Sequence, residues 1–510
     1  MNPLSLPWLE MSIAVTLLGS LYVSRVREPI RAFRAGLVFT GAALSFTVLA
    51  WLGFYVRVAP EPGLALSPQS YFFGREFFAL DELNAPLVPV AALVHFLTML
   101  ATARAKMRRF SFTWSLAAET ICLATFSSKE PWLLIGLLAG TTIPPFIELA
   151  SRGRSTRIYV IHMATFLGLL VLGWTAVELG GRDAAPTAWA TIPLLVAILV
   201  RCGTVPAHCW VMDWFEHATF GIALLFVTPL SGVYAAVRLV LPIAPDWVLH
   251  SIAIASLITA VYSAAMATVE TEVRRFYARM FLSHAALVLV GLELDTVISL
   301  TGAFCLWFSV FLSLAGFGLT LRAIESRFGR LSLRSFHGLY EHSPALAVCF
   351  LLTGLGIVGF PGTLGFISTE LLVDSAVEAS PIIGFAIVAA AALNGIAVVR
   401  AYLHLFAGAR HHSTVWLGMG TRERFAVLTL SAMMIGGGLF PQPGVTTREL
   451  AAEEVLEERA RRLGRAMEET SDVPRLPAGG PTDVRNAPGL APRGSGAPGA
   501  VSGGTTPVRR

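Results

Sequence analysis

The sequence predicts an all-α polytopic membrane protein with about 14 transmembrane helices, and three observations carry that expectation. First, 55% of its 510 residues are hydrophobic and 14% are charged, against about a quarter charged in an ordinary soluble domain. Second, at a mean hydropathy of +0.67, the apolar residues fall in runs near the roughly 20 residues that a helix needs to cross hydrocarbon. Third, basic residues concentrate in alternate loops between those runs, as the positive-inside rule requires. A water-soluble core cannot absorb this much apolar surface, so lipid must serve as part of the solvent.

In chain order the runs fall at 7–24, 35–56, 84–103, 110–128, 131–150, 158–178, 187–206, 219–241, 246–268, 279–294, 296–321, 344–376, 380–408 and 425–441. The first lacks a basic n-region and a small-residue cleavage site, so it reads as a spanning helix rather than a cleaved signal. The seventh ends at Pro206, and Gly-Phe-Pro-Gly at 359–362 interrupts the twelfth. Proline removes a backbone donor and breaks a helix. One set of loops holds Arg25, Arg27, Arg31, Arg34, Arg104, Lys106, Arg108, Arg109, Arg152, Arg154 and Arg157. It continues with Arg274, Arg275, Arg279, Arg322, Arg327, Arg330, Arg334, Arg410, Arg422 and Arg424, which makes 21. The opposite set holds 4: Arg57, Arg75, Lys129 and Arg182. The richer set is assigned to the cytoplasm, which puts both chain ends on the other side. The expected domains are a transmembrane part at 1–441, a charged amphipathic helix at 442–470, and a Pro/Gly/Ser-rich disordered tail at 471–510. A basic helix on the outer side is explained either by a docked partner or by a span count off by one.

Ionisable residues inside spanning helices are costly unless paired or hydrated, so each is a functional candidate. Arg201 lies deep in the seventh run, and His208, Asp213, Glu216 and His217 follow its break. In the twelfth run Glu370 and Asp374 are four apart and share a helix face. Glu119 is the most deeply placed acid, and His95, Glu148, His162, His284 and His404 are scattered along other runs. Each of these histidines taken singly reads as a packing or helix-end group; as a set they trace a hydrated polar path. The five cysteines, Cys122, Cys202, Cys209, Cys305 and Cys349, form no CxxC pair and read as small packing residues. No Walker loop, strand-linked GxGxxG, HExxH or GxSxG occurs, so no cofactor, metal or catalytic site is expected. Nothing in the pattern suggests nucleic acid.

Four segments carry a family resemblance. ETEVRRFYARMFLSHAALVLVGLE (270–293), LVRCGTVPAHCWVMD (199–213), GFPGTLGFISTELL (359–372) and FALDELNAPLVPVAALV (78–94) resemble motifs of the antiporter-like subunits of respiratory complex I (NADH:quinone oxidoreductase) and of Mrp-type cation/proton antiporters. The matches run in order over about 75–410. The resemblance implies two inverted five-helix repeats with broken helices at the seventh and twelfth spans. It also implies a central row of Lys, His and Glu that carries protons.

The sequence departs from that row. The seventh-helix Lys becomes Arg201, which holds its charge at any protein pH and can bias a neighbour but not carry a proton. The fifth-helix Glu falls near Ala139 or Gly140, and the eleventh-helix position near Val310 or Leu314. The eighth-helix position falls in 224–234, where Tyr234 is the sole ionisable group, and the twelfth falls on Thr369 beside Glu370.

The expected function is a proton-conducting subunit of a larger inner-membrane complex, with no redox site of its own. In it Arg201 tunes an acid such as Glu119, His208 and His284 relay protons, and Glu370 is the exit or entry carboxyl. His95, Asp213, His217, Asp374 and His404 are secondary members. The partners implied are a redox arm, other antiporter subunits, or a large soluble zinc protein resembling a carbonic anhydrase. The last belongs to a divergent branch that takes up inorganic carbon. A non-conducting scaffold is the rival of another class.

Overall fold

The computed structural model describes residues 6–56, 76–181, 188–292, 296–408 and 418–471. Arg57, Arg75, Arg182, Arg410 and tail residues 472–510 lie outside the described residues. Within the described residues the chain is helical, with two isolated β-bridges, Phe78 to Ser128 and Glu272 to Ser332.

Three helices lead: α1 (Trp8–Ser24), α2 (Pro29–Tyr55) and α3 (Leu87–Leu100). A first unit of five spans follows. It comprises α4 (Phe112–Ser127), the pair α5 (Pro131–Thr141) and α6 (Ile143–Ser151), and α7 (Arg157–Leu179). It ends with the broken pair α8 (Ala188–Cys202) and α9 (Cys209–His217), then α10 (Phe220–Val227) and α11 (Ser231–Ala235), which runs on as a π-turn over Ala236–Val240. The second unit holds α12 (Asp246–Val269), α13 (Val273–Gly291), α14 (Val297–Phe328), the broken pair α15 (Pro344–Val358) and α16 (Leu364–Ala379), and α17 (Pro381–Phe406). Last come α18 (Thr421–Leu439) and α19 (Gln442–Ser471). The fourth span of each unit is broken by a non-helical segment that turns on a glycine, Gly203 in the first and Gly359 in the second. Because a unit has an odd number of spans, the second begins on the membrane side opposite to the first, which makes the two inverted.

Local sequence sets these boundaries. Proline opens α2, α5, α15 and α17, where its missing N–H and fixed φ suit a first turn. The two breaks turn on glycines in the left-handed region, Gly203 at φ +71° and Gly359 at φ +76°. Only glycine adopts that region without strain. A Cβ on Gly359 would also sit 3.1 Å from the Gly365 carbonyl oxygen.

By length and apolarity seven described helices suffice to cross a membrane, or eight if the bent pair α18 and α19 counts as one. Four shorter apolar helices, α1, α3, α8 and α15, accompany them. This is fewer than the 14 crossings expected. The shortfall comes from spans divided by a break, from the short helices α1, α3 and α4, and from α13, whose first turns carry Arg274, Arg275 and Arg279.

The core runs along α10–α11 and α14, whose apolar windows are 94% and 83% buried, against 17% for α2 at the rim. Outward faces carry exposed Leu18, Val38, Ile382 and Phe385, a surface suited to lipid.

α19 turns by 81° from α18 and so lies across the bundle rather than along it. Arg448 donates to the carbonyls of Leu83 (3.1 Å) and Glu82 (3.4 Å). Arg459 donates to Leu241 (2.8 Å) and Ala244 (2.7 Å) and pairs with Asp246 at 2.8 Å. The charged helix thus docks on its own chain, along the arginine-poor side, which neither sequence account of it foresaw.

Candidate functional site

Arg201 ends α8 inside the core and is 5% exposed. Its Nη2 donates to Ser231 Oγ at 2.6 Å, and its guanidinium lies 4.5 Å from the Phe226 ring and 5.7 Å from that of Trp210. Trp210 is itself pinned, donating to the Val200 carbonyl at 2.9 Å. Aromatic faces favour a cation electrostatically, so this cage offsets part of the desolvation that a lone buried charge suffers. Close approach of α11 is required: a Cβ on Gly232 would meet Cys202 Sγ at 2.7 Å and Arg201 Cγ at 3.0 Å.

Glu119 on α4 is fully buried, and neither carboxyl oxygen has a hydrogen-bond partner among the described residues. It does not pair with Arg201, contrary to the expectation that the two form a tuned couple. They are linked indirectly. A small apolar cavity of about 40 Å³ lies between α4, the Thr141–Pro145 bend and the α10–α11 break. Ser115 and Cys122, on the helix of Glu119, line one wall; Phe226 and Ser231, which hold Arg201, line the other. That volume exceeds the roughly 10–15 Å³ needed for one water. His95 on α3 is also buried; its Nδ1 contacts the Ala91 carbonyl at 2.9 Å, and Nε2 has no partner among the described residues.

At the α8–α9 break, His208 is half-buried and packs edge-on against Tyr262 of α12, 5.7 Å between centroids. The break is tied to α12 by the Val205 amide, which donates to Thr259 Oγ1 at 2.9 Å. Arg279 of α13 stands over the other side of Tyr262's neighbourhood at 5.4 Å. It is 5% exposed, and its Nε and Nη1 have no partner among the described residues. Sequence reading placed Arg279 at the mouth of the tenth span, because Arg274 and Arg275 push an apolar window to start there. The helix actually begins at Val273, which carries Arg279 nearly two turns inside.

His284, also on α13, is 3% exposed. Its Nδ1 contacts the Met280 carbonyl at 2.8 Å, and the ring also meets the Ile357 carbonyl, in the last turn of α15 beside the second break. A broken helix leaves carbonyls without intrahelical donors, and His284 occupies one of them. Next to it Ser283 donates to Ala260 at 3.0 Å and accepts from Asn394 of α17 at 2.9 Å.

The remaining candidates sit elsewhere. Asp213 and His217 pair with each other at 3.1 Å on α9. Glu370 and Asp374 share one face of α16, and that face is exposed on the outside of the bundle. His404 stacks on Phe336 at 4.7 Å near the end of α17, as a helix-end group. Cys202 is buried and Cys209 exposed, so the two thiols diverge, and no cluster able to hold a metal occurs among the described residues. One further buried pair went unread in the sequence. Asp81 binds Arg238 of the π-turn, with Lys129 at 3.9 Å, and caps the Asn84 amide at 3.0 Å. Its signal was an arginine near the end of an apolar span and an acid at the start of another.

Fold and site together define a polytopic helical membrane protein with ionisable groups buried near its helix breaks. The family model "NADH:quinone oxidoreductase/Mrp antiporter, TM" matches residues 158–394. The chain is 24% identical over 408 residues to NADH-quinone oxidoreductase subunit M of Pseudomonas aeruginosa, covering 72% of this chain and 79% of the relative. It is 25% identical over 398 residues to NADH-quinone oxidoreductase subunit 13 of Thermus thermophilus, covering 71% and 82%. Among solved structures, a chain of the Mrp complex from Dietzia superposes with a TM-score of 0.78 at 17% identity, covering 91% of this chain and all of that one. A chain of respiratory complex I from Thermus thermophilus superposes with 0.75 at 19% identity, covering 88% and 99%. The chain thus resembles the membrane subunits of NADH:quinone oxidoreductases and shares its fold with those of Mrp complexes, in line with the four sequence segments.

Proposed function

We propose that this chain conducts protons as one membrane subunit of a larger complex in a bacterial inner membrane. The observation that carries the reading is the set of buried ionisable groups lacking ion-pair partners, strung between the two helix breaks. His95 and Glu119 are buried with unpartnered polar atoms, and the helix of Glu119 lines one wall of the small cavity whose other wall includes Ser231, the partner of Arg201. Beyond them come His208 with Arg279, and His284 against the second break. Such groups are too costly in hydrocarbon to persist as packing alone. Glu119 is the proton-exchanging acid on this route, and Arg201 is its fixed charge. His208 and His284 hand protons between waters. Glu370 serves where the path meets a neighbouring subunit.

The position of Glu370 supports the multi-subunit reading. It lies nine residues before the end of α16, or about 13 Å at 1.5 Å per residue. An exposed acid at that depth calls for a covering partner. The relay groups that the family resemblance puts near Ala139 or Gly140, near Val310 or Leu314, and at Thr369 are missing, which supports a second reading of the partner, in which a large soluble zinc protein draws on the proton gradient to take up inorganic carbon.

Two experiments test this. Proton flux is measured with a pH-sensitive dye in liposomes holding the complex purified from native membranes. Glu119→Gln and Glu370→Gln are each expected to abolish it; undiminished flux in both would make the chain a scaffold. Companions recovered in mild detergent are then identified by mass spectrometry. Iron–sulfur and quinone-site subunits, antiporter subunits, or one large zinc protein each specify a different complex.

A further inference from the structure

The arginine-rich side of the bundle holds a cleft of about 400 Å³ where the two inverted units meet. Seven cations and two acids line it. Both acids are already engaged: Glu325 forms a two-pronged pair with Arg274 (2.6 Å to each oxygen), and Glu423 binds Arg327 from outside the cleft. Arg152 is likewise held by Glu148 at 2.6 Å. That leaves Lys106, Arg109, Arg154, Arg322 and Arg330 facing one space with no ion pair among the described residues.

This convergence differs from ordinary snorkelling, in which basic side chains splay outward to water. Arg322 is drawn in, donating to the Thr98 carbonyl (2.7 Å) and Thr102 Oγ1 (2.8 Å) and lying 5.1 Å from the Phe110 ring. Its path needs a glycine opposite, since a Cβ on Gly221 would sit 2.9 Å from Arg322 Cζ. Arg330 is fixed by a 2.6 Å bond to the Glu216 carbonyl. Burial first, and then the charge of Arg274, lower its guanidinium below the ordinary arginine range. Positioned like charges around a concave, low-dielectric wall focus a positive potential, and arginine forks match phosphate oxygens geometrically.

We propose that this cleft binds a phosphate-class oxyanion, seated among Lys106, Arg109, Arg154, Arg322 and Arg330, which neutralises the junction of the two units. Its sources are an anionic phospholipid headgroup, as basic pockets between membrane helices take, or a soluble phosphate.

The test is thermal melting of the full chain, delipidated in a neutral detergent. Added are cardiolipin, phosphatidylcholine, sodium phosphate at constant ionic strength, or polyglutamate. Wild type is compared with Lys106→Gln/Arg109→Gln/Arg154→Gln, and with Lys106→Arg/Arg109→Lys/Arg154→Lys as the charge-retaining control. Stabilisation of wild type and control by cardiolipin but not phosphatidylcholine, lost in the glutamine variant, supports a lipid headgroup. The same pattern with phosphate alone supports a soluble ligand. Equal shifts in wild type and glutamine variant, no shift in any, or a response to polyglutamate only would overturn the proposal, the last in favour of an acidic partner segment. If the glutamine variant does not fold, Arg154→Gln alone is read in the same way.

Discussion

The two broken spans occupy matching places in the inverted units, yet they have opposite characters. At the α8–α9 break the charge is a buried cation, Arg201, held by a serine and two aromatic rings. At the α15–α16 break the charges are acids, Glu370 and Asp374, and they face outward. The first break keeps its charge inside the chain; the second turns its acids to the surface. Duplicated architecture therefore does not mean duplicated electrostatics.

Replacing Arg201 should produce the largest separation between the breaks. Arg201→Met is expected to abolish flux while leaving the fold as stable or more so, by about 1–4 kcal/mol, because a buried charge is exchanged for an apolar chain of similar length. Flux assays paired with denaturant melts check this. A large loss of stability instead would show that the cation holds α8 and α11 together.

Packing at the two breaks gives the next effect. Gly232→Ala forces a Cβ into Cys202 Sγ and Arg201 Cγ and should destabilise by about 1–3 kcal/mol through overpacking. Gly359→Ala places a side chain at φ +76° and should cost at least about 1 kcal/mol through backbone strain. Only the first should also move Arg201 and lower flux; equal loss of flux in both would erase the distinction.

The outward acids should behave differently again. Glu370→Gln with Asp374→Asn is expected to change the stability of the isolated chain by less than about 0.5 kcal/mol. The same variant should weaken recovery of companion subunits in detergent. Unchanged recovery would mean that this face meets lipid or water. The smallest effect belongs to His404→Ala, which should leave flux intact, since the ring stacks on Phe336 and contacts the Arg400 carbonyl of its own helix near the helix end. Lost flux there would bring α17 into the path.

The same contrast explains what could be read from sequence. Both breaks were legible, because Gly203, Pro206, Gly359 and Pro361 have backbone consequences that no context removes. Arg201 and Glu119 were legible as deep charges, because apolar neighbours surround them on both sides. The direction of Glu370 was not. In a membrane span apolar residues face lipid as well as protein, so the pattern that tells inside from outside in a soluble helix is weak. The break at Leu230, which takes φ 53° without being glycine, also escaped notice, since only Pro229 marks it. Arg279 was lost to a window edge, and Asp81–Arg238 to a separation of 157 positions that no local pattern spans.

The transverse helix α19 acts as a strut. Its two anchors, Arg448 and Arg459, are 11 residues apart, about 16 Å along a helix. One grips the carbonyls beside α3; the other grips the corner where the first unit hands over to the second. A bar of fixed length pinned at both points lets side chains swing but resists sliding of the leading helices past the junction of the units. Proton transfer of the kind proposed would then run within a stiff frame rather than by rocking halves. Shortening the protein after Pro441 is the way to ask: looser hydrogen exchange across Leu83 and Leu241 would show the strut in action, and unchanged exchange would show that the frame is rigid without it.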